Sequence, residues 1–244
     1  MAFEAVGSTN ARALEAARSG DPGPLWITAD RQTEGRGRRG RSWDSPPGNL
    51  YASLLVVEPS PVEHLSNLPL VVAVGVADGI ATLDGIDPSA VRIKWPNDIL
   101  LGDAKCVGIL IESERLGSGL NAVVIGCGVN LENAPQPQAY PVTSLRKAGA
   151  KGDIESVFDA LAGGVEAALR RWDRGRGFAD LRHEWIARSK GIGEPCTVNL
   201  SDRSVSGRFV ELDEAGCLVL ETADMRREVF SAGDIFFPAS VLTR

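Results

Sequence analysis

The stretch GRGRRGRSWDSPP, residues 35–47, decides between two architectures. Its glycines at 35, 37 and 40 match GxGxxG, the pattern that cradles a dinucleotide's pyrophosphate in a doubly wound parallel sheet. That motif acts through backbone N–H groups at the start of a helix. Here Pro46 and Pro47 follow and forbid a helix, while Arg36, Arg38, Arg39 and Arg41 fill the variable positions. The dinucleotide fold is therefore rejected, and no GxxxxGKS/T sequence offers a P-loop instead. What remains is a loop built to close on an anion. Glycine lets the backbone approach a ligand, and guanidinium groups hold carboxylate or phosphate through paired, charge-assisted hydrogen bonds. Left alone, the arginines repel one another, and ordering seven residues costs on the order of 7–14 kcal/mol of backbone entropy. Closure is thus expected to need a polyanionic ligand. The alternatives are a solvated flexible loop and a DNA or RNA patch on which Trp43 and Tyr51 stack bases.

Working outward, the loop lies in a polar stretch from 30 to 49, too long for a simple turn. Before it, Ser8-Thr9 caps a helix over 10–18, and 25–29 reads as a strand. After it come a strand at 50–57, a buried helix at 65–83, and short strands at 91–94, 99–101, 106–112 and 122–131. The apolar helix is interrupted by Asn67, Pro69, Gly75, Asp78 and Gly79, so it reads as a core helix rather than a membrane span. A polar loop at 132–141 precedes helices at about 154–174 and 178–188. Beyond Gly191 the pattern changes to four short alternating segments, at 197–200, 205–212, 217–221 and 226–230, which suggest a small barrel. The expected division is 1–190 and 191–244.

Composition is that of an ordinary globular protein, and the net charge of −6 argues against bulk nucleic-acid binding. Cys106, Cys127, Cys196 and Cys217 are scattered through apolar runs, with no CxxC pair or zinc spacing. No metal site is expected. Free thiols fit a reducing compartment, and no secretory signal opens the chain, so a cytoplasmic location is expected.

Three further stretches stand out. KWPND, residues 94–98, sits at a strand end where Pro96 turns Asn97 and Asp98 toward a cleft. KCVGILIE, residues 105–112, opens an apolar strand with Lys105, which could hold an anion beside the sheet. GCGVN, residues 126–130, puts two glycines in a strand, a sign of close backbone approach or of bulges. Neither His64 nor His183 joins a Ser/His/Asp or Cys/His set. Chemistry that stabilises phosphate charge fits better than histidine base catalysis.

Taken in order, GSTN (7–10), Gln32, GRGRRGR, Trp43, KWPND, KxxGILIE and GxGVN resemble the biotin–protein ligase family over most of residues 5–131, and more weakly beyond. The resemblance implies an α+β catalytic fold, a mixed sheet flanked by helices as in class II synthetases, with a small C-terminal SH3-like barrel. It implies ATP-dependent formation of biotinyl-5′-AMP and transfer of biotin to a lysine of a biotin carboxyl carrier protein. ATP, Mg2+ and biotin would be substrates, with no tightly bound cofactor. The usual acceptor is the biotin domain of acetyl-CoA carboxylase, and neither nucleic acid nor membrane is an expected partner.

Carried over by position, Ser8, Thr9, Asn10 and Gln32 would hold the biotin head, and Gly35, Arg36, Gly37, Arg38 and Gly108 would complete its site. Arg38, Arg41, Trp43, Asn97 and Asn130 would hold ATP. Lys105 would bridge the biotin carboxylate and the α-phosphate, and Asn97 and Asp98 would face the carrier lysine. Lys105, Arg38 and Asp98 are thus the implied catalytic set. Because the motifs begin at residue 7, the resemblance is to the monofunctional kind without a DNA-binding domain, a monomer or weak homodimer. A lipoate–protein ligase with the same chemistry is the alternative enzyme, and a nucleic-acid module using the arginine loop is the alternative of another class.

Overall fold

Runs rich in Val, Ile and Leu pair into a sheet made of β1 (Ala2–Val6), β2 (Leu25–Gln32), β3 (Leu50–Val57), β4 (Val91–Lys94), β5 (Asp98–Leu101), β6 (Ala104–Arg115) and β7 (Asn121–Val129). The computed structural model describes residues 1–135 and 140–238, so the polar loop expected at 132–141 lies partly outside the described residues. The seven strands run in the order β1-β2-β3-β7-β6-β5-β4. β1 and β2 are parallel and all other neighbours antiparallel, which makes the sheet mixed, as expected.

Side chains alternate across a strand, and β7 shows what each face meets. Ala122 and Val124 pack with Ala13 and Ala17 of α1 (Thr9–Arg18). Val123, Ile125, Cys127 and Val129 join the main core, which also takes in α2 (Leu68–Ala81), α3 (Ile154–Trp172) and α4 (Phe178–Ala187). α2 is apolar all round because sheet and helices cover it. By length and composition alone residues 62–81 could cross a membrane, yet Leu70–Ala77 and Ile80 are buried inside the protein. On the opposite face α1 is short. It covers one end of the sheet and leaves the other end to the arginine loop, and the site lies between them.

The C-terminal strands are β8 (Pro195–Asn199), β9 (Ser204–Leu212), β10 (Leu218–Glu221), β11 (Arg227–Phe230) and β12 (Asp234–Phe236). They form an open sheet, β11-β10-β9-β8-β12, and the expected SH3-like barrel is not formed. Closure would require β11 to pair with β12; instead they are the two edges, and the turn at 231–233 carries the chain from one to the other. The sheet does not need to close on itself. Its apolar residues Val198, Phe209, Leu212, Leu218, Leu220 and Ile235 belong to the same core cluster as α2 and α4. Trp95 Nε1 donates to Gly216 O at 3.4 Å, and Asn67 Nδ2 to Ala215 O at 3.3 Å, tying the sheet to the larger body. Residues 188–190 also bond along β4, with Ile93 N to Arg188 O at 2.9 Å and Lys190 N to Ile93 O at 2.8 Å.

Candidate active site

Cross-strand partners share a face, so the register of the sheet defines the floor of the site. One row of partners runs Ser53–Gly126–Leu110 across β3, β7 and β6. The next runs Tyr51–Gly128–Gly108–Asp98–Lys94 across β3, β7, β6, β5 and β4. Glycine recurs where something lies directly on the backbone. A Cβ on Gly126 would fall 2.1 Å from Asn10 Oδ1; on Gly128 and Gly108 it would fall 2.5 and 2.6 Å from ring atoms of Trp43. Above this floor lies a cavity of about 270 Å³.

The first row is the closed, polar end. Ser8 caps α1, its side chain accepting from Ala11 N, and so orients the next two residues downward. Thr9 N and Thr9 Oγ1 donate to Gln32 Oε1 at 2.8 and 3.1 Å. Gln32 Nε2 donates to Ser45 Oγ at 3.1 Å, and Ser45 Oγ to Trp43 O at 2.9 Å, which links this end to the neck of the loop. Ser53 Oγ lies 2.8 Å from Thr9 Oγ1 and 2.6 Å from Asn10 Oδ1. Asn10 Nδ2 reaches Glu112 Oε2 at 2.8 Å. Thr9, Asn10 and Ser53 are buried together, a set of donors and acceptors in an otherwise apolar sheet.

Lys105 owes its position to an irregularity. The β5–β6 register shifts between Ile99 and Leu100, so Ile99 pairs with Val107 while Leu100 pairs with Lys105. Strict alternation from Gly108 would point Lys105 into the core. The bulge lets Cys106 and Val107 both face the core and turns Lys105 into the cavity. There its Nζ lies 2.6 Å from Asp98 Oδ1 and over the rings of Trp43 and Tyr140, at 5.4 and 5.7 Å. Burial pushes the Cys106 thiol up to about 12, leaving it an inert core side chain.

The arginine loop is a small hairpin. Gly37 N bonds to Arg41 O at 2.7 Å and Trp43 N to Gly35 O at 2.9 Å, with Arg39 at φ 58 and Gly40 at φ 73 in its turn. Tyr51 anchors the exit from the loop by donating to Pro46 O at 2.7 Å, and burial pushes its phenol up to about 12. The expected self-repulsion is met by carboxylates from the protein itself. Arg36 pairs with Glu112 at 3.2 Å. Arg38, Arg39 and Arg41 converge on Asp234 of β12, at 3.9, 3.2 and 2.7 Å. Arg38 also donates to Asn97 Oδ1 at 3.2 Å and to Gly233 O. Burial holds the Arg38 guanidinium below the ordinary arginine range, and Asp234 opposes that shift. Replacing Asp234 by Asn keeps its shape and removes its charge. Trypsin should then cut within residues 36–41 several-fold faster while the melting temperature moves little, since pairs that remain in reach of solvent add modest stability. Unchanged cleavage would separate Asp234 from the order of the loop.

Of the residues read from sequence, Ser8, Thr9, Asn10, Gln32, Arg36 and Gly37 line the cavity, as do Arg38, Arg41, Trp43, Asp98, Lys105 and Gly108. Gly35 lies in the neck, where a Cβ would meet Trp43 O at 2.4 Å. Asn97 is outside the cavity, its amide spanning Arg38 and Ile109 O, the latter at 2.9 Å. Asn130 borders an adjoining recess with Trp43, Lys105 and Tyr140. Sequence reading passed over Lys94, Ser53, Glu112, Tyr140, Asp234 and Phe236. Lys94 and Glu112 sat inside motifs already noted; the other four carried no local signal.

Comparison with known proteins identifies the family. The model of the biotin/lipoate A/B protein ligase family matches residues 2–130, and that of the biotin protein ligase C-terminal domain matches residues 191–237. A biotin–[acetyl-CoA-carboxylase] ligase of Paracoccus denitrificans is 38% identical over 240 residues, covering 94% of this chain and 97% of the relative. The biotin protein ligase of Aquifex aeolicus, solved with biotin and ATP, superposes with a TM-score of 0.79 at 24% identity, over 97% of this chain and 98% of that one. The Leishmania major enzyme, solved with biotinyl-5-AMP, gives 0.67 at 26% identity, over 95% and 98% of the two chains. With a family model spanning more than half of its residues and a relative of this identity matched nearly end to end, the chain belongs to the biotin/lipoate A/B protein ligase family.

Proposed function

We propose that this one cavity carries both half-reactions of biotin–protein ligation. The chain is an ATP-dependent biotin ligase. It condenses biotin with MgATP to biotinyl-5′-AMP and pyrophosphate, then passes the biotinyl group to a lysine of a biotin carrier protein. The observation that carries the site reading is Lys105 in a cavity with a polar closed end on one side and the arginine hairpin on the other.

The closed end suits the ureido ring of biotin, which both donates and accepts hydrogen bonds. Thr9, Asn10 and Gln32 present amides and hydroxyls there, backed by Ser53, whereas the dithiolane of lipoate has no donor and only weakly accepting sulfurs to offer them. The biotin carboxylate then reaches Lys105, which must exchange Asp98 for it and for the α-phosphate. Arg38 and Arg41 close over the phosphate, and Trp43 with Asn130 holds the nucleotide. A carboxylate oxygen of biotin attacks the α-phosphorus, the bond to the β-phosphate oxygen breaks, and pyrophosphate departs with the electron pair. In the second step the acceptor amine attacks the acyl carbonyl, AMP leaves, and Asp98, no longer held by Lys105, takes up the amine proton. Residues 1–190 form the catalytic part in this reading, and the segment from 191 onward closes it through Asp234 and Phe236. Arginines turned into the cavity and onto Asp234, in an acidic chain, speak against a nucleic-acid patch. Four free cysteines fit work in the cytoplasm.

The test is to incubate the protein with MgATP and either biotin or lipoate and to assay the acyl-adenylate by mass spectrometry. Biotinyl-AMP is expected. Lipoyl-AMP in its place would overturn the substrate, and neither product would overturn the reaction.

A further inference from the structure

We propose that Lys94 is a catalytic residue of the first half-reaction alone, gripping the departing pyrophosphate. This rests on the function proposed above. Lys94 ends the second floor row, opposite Asp98 on β5, and its side chain lines the cavity. Its ammonium lies 5.4 Å from the ring centre of Tyr140 and 5.3 Å from that of Phe236. The nearby carboxylate of Asp98 is engaged by Lys105, and among the described residues the Lys94 ammonium forms neither an ion pair nor a hydrogen bond. Aromatic faces attract a cation but do not neutralise it. A half-buried ammonium left unpaired beside a second lysine is costly unless an anion arrives. Tyr140 serves both ammoniums, so an anion at Lys105 has a second cation ahead of it.

Direction chooses which anion. In phosphoryl transfer the attacking and leaving oxygens lie roughly in line across phosphorus. The biotin end is over β3 and β7, Lys105 is on β6, and Lys94 is on β4 at the sheet edge. With biotin attacking from the β3–β7 side, the β- and γ-phosphates must point toward β4. As the bond from the α-phosphorus to the bridging oxygen breaks, negative charge grows on pyrophosphate, and Lys94 is the cation free to receive it. The acceptor step releases AMP and builds no such charge.

The two half-reactions can be measured apart on wild type, Lys94→Met and Lys94→Arg. Methionine keeps the apolar packing between the two rings. Biotinyl-AMP formation from biotin and MgATP in a single turnover should slow about 100-fold in Lys94→Met. In the reverse direction, the KM for pyrophosphate in ATP re-formation from biotinyl-AMP should rise by about tenfold or more. Transfer from supplied biotinyl-AMP to a biotin carrier domain should stay within about twofold, and Lys94→Arg should recover much of the adenylation rate. Equal loss in both half-reactions would mark Lys94 as merely structural, and unchanged adenylation would remove it from the chemistry; either result overturns the assignment. A wild-type protein that forms no biotinyl-AMP would instead overturn the function on which it rests.

Discussion

Lys105→Ala should slow formation of biotinyl-AMP by at least one to two orders of magnitude. That corresponds to about 1.4–2.7 kcal/mol of lost transition-state stabilisation, in the range seen when one preorganised charged or hydrogen-bonding contact is removed. Once Lys105 has exchanged Asp98 for substrate, the rings of Trp43 and Tyr140 still hold its ammonium, so little further reorganisation is needed when negative charge develops at the α-phosphate. The substitution also leaves the half-buried Asp98 without its cation, and that second effect needs its own control. Asp98→Asn should leave adenylation much nearer wild type while slowing transfer to the carrier. Rapid-quench assays of the adenylate measure the first step directly. A Lys105→Ala rate within threefold of wild type would take Lys105 out of the mechanism.

Arg38→Gly is expected to let the reactive intermediate escape. Arg38 is the loop arginine tied to the body on two sides, by Asn97 at 3.2 Å and by the turn that holds Gly233 and Asp234. Removing it deletes a charge-assisted contact worth roughly 1.5–3 kcal/mol, and it leaves the hairpin held to the C-terminal sheet by Arg39 and Arg41 alone. Release of biotinyl-AMP should accelerate by about tenfold or more, and lysines of bystander proteins should become labelled. Following adenylate lifetime by rapid filtration, with an unrelated protein as trap, checks both. An unchanged lifetime together with unchanged carrier selectivity would sink the idea.

Much of this was legible in the chain. Strands at 50–57 and 91–94 were read with their observed bounds, because runs of Val, Ile and Leu between turn residues carry their own period. The helix behind Ser8 was legible because a cap is a local device. The two glycines of GCGVN announced a close approach, and the occupants prove to be Asn10 and Trp43. Other features left no such mark. β1 is a largely exposed edge strand whose parallel partner begins more than a helix away. The C-terminal segments looked like a barrel because short alternating strands suit a barrel and an open sheet equally well. Only β12, missed in the sequence, showed where the edges fall.

By itself, then, the sequence determined the kind of chemistry: an arginine–glycine loop, a lysine opening a strand and a polar helix cap, all within the first 131 residues. Tertiary structure decided how those groups face one another. Lys105 enters the cavity only because a bulge shifts the β5–β6 register by one residue. The loop arginines find their counter-charge in Asp234, with Arg41 bonding a residue 193 positions along the chain. Local propensity acts over a few residues and sets strand, helix and turn. Register and distant ion pairs depend on which faces pack, and that is settled only when the whole core closes.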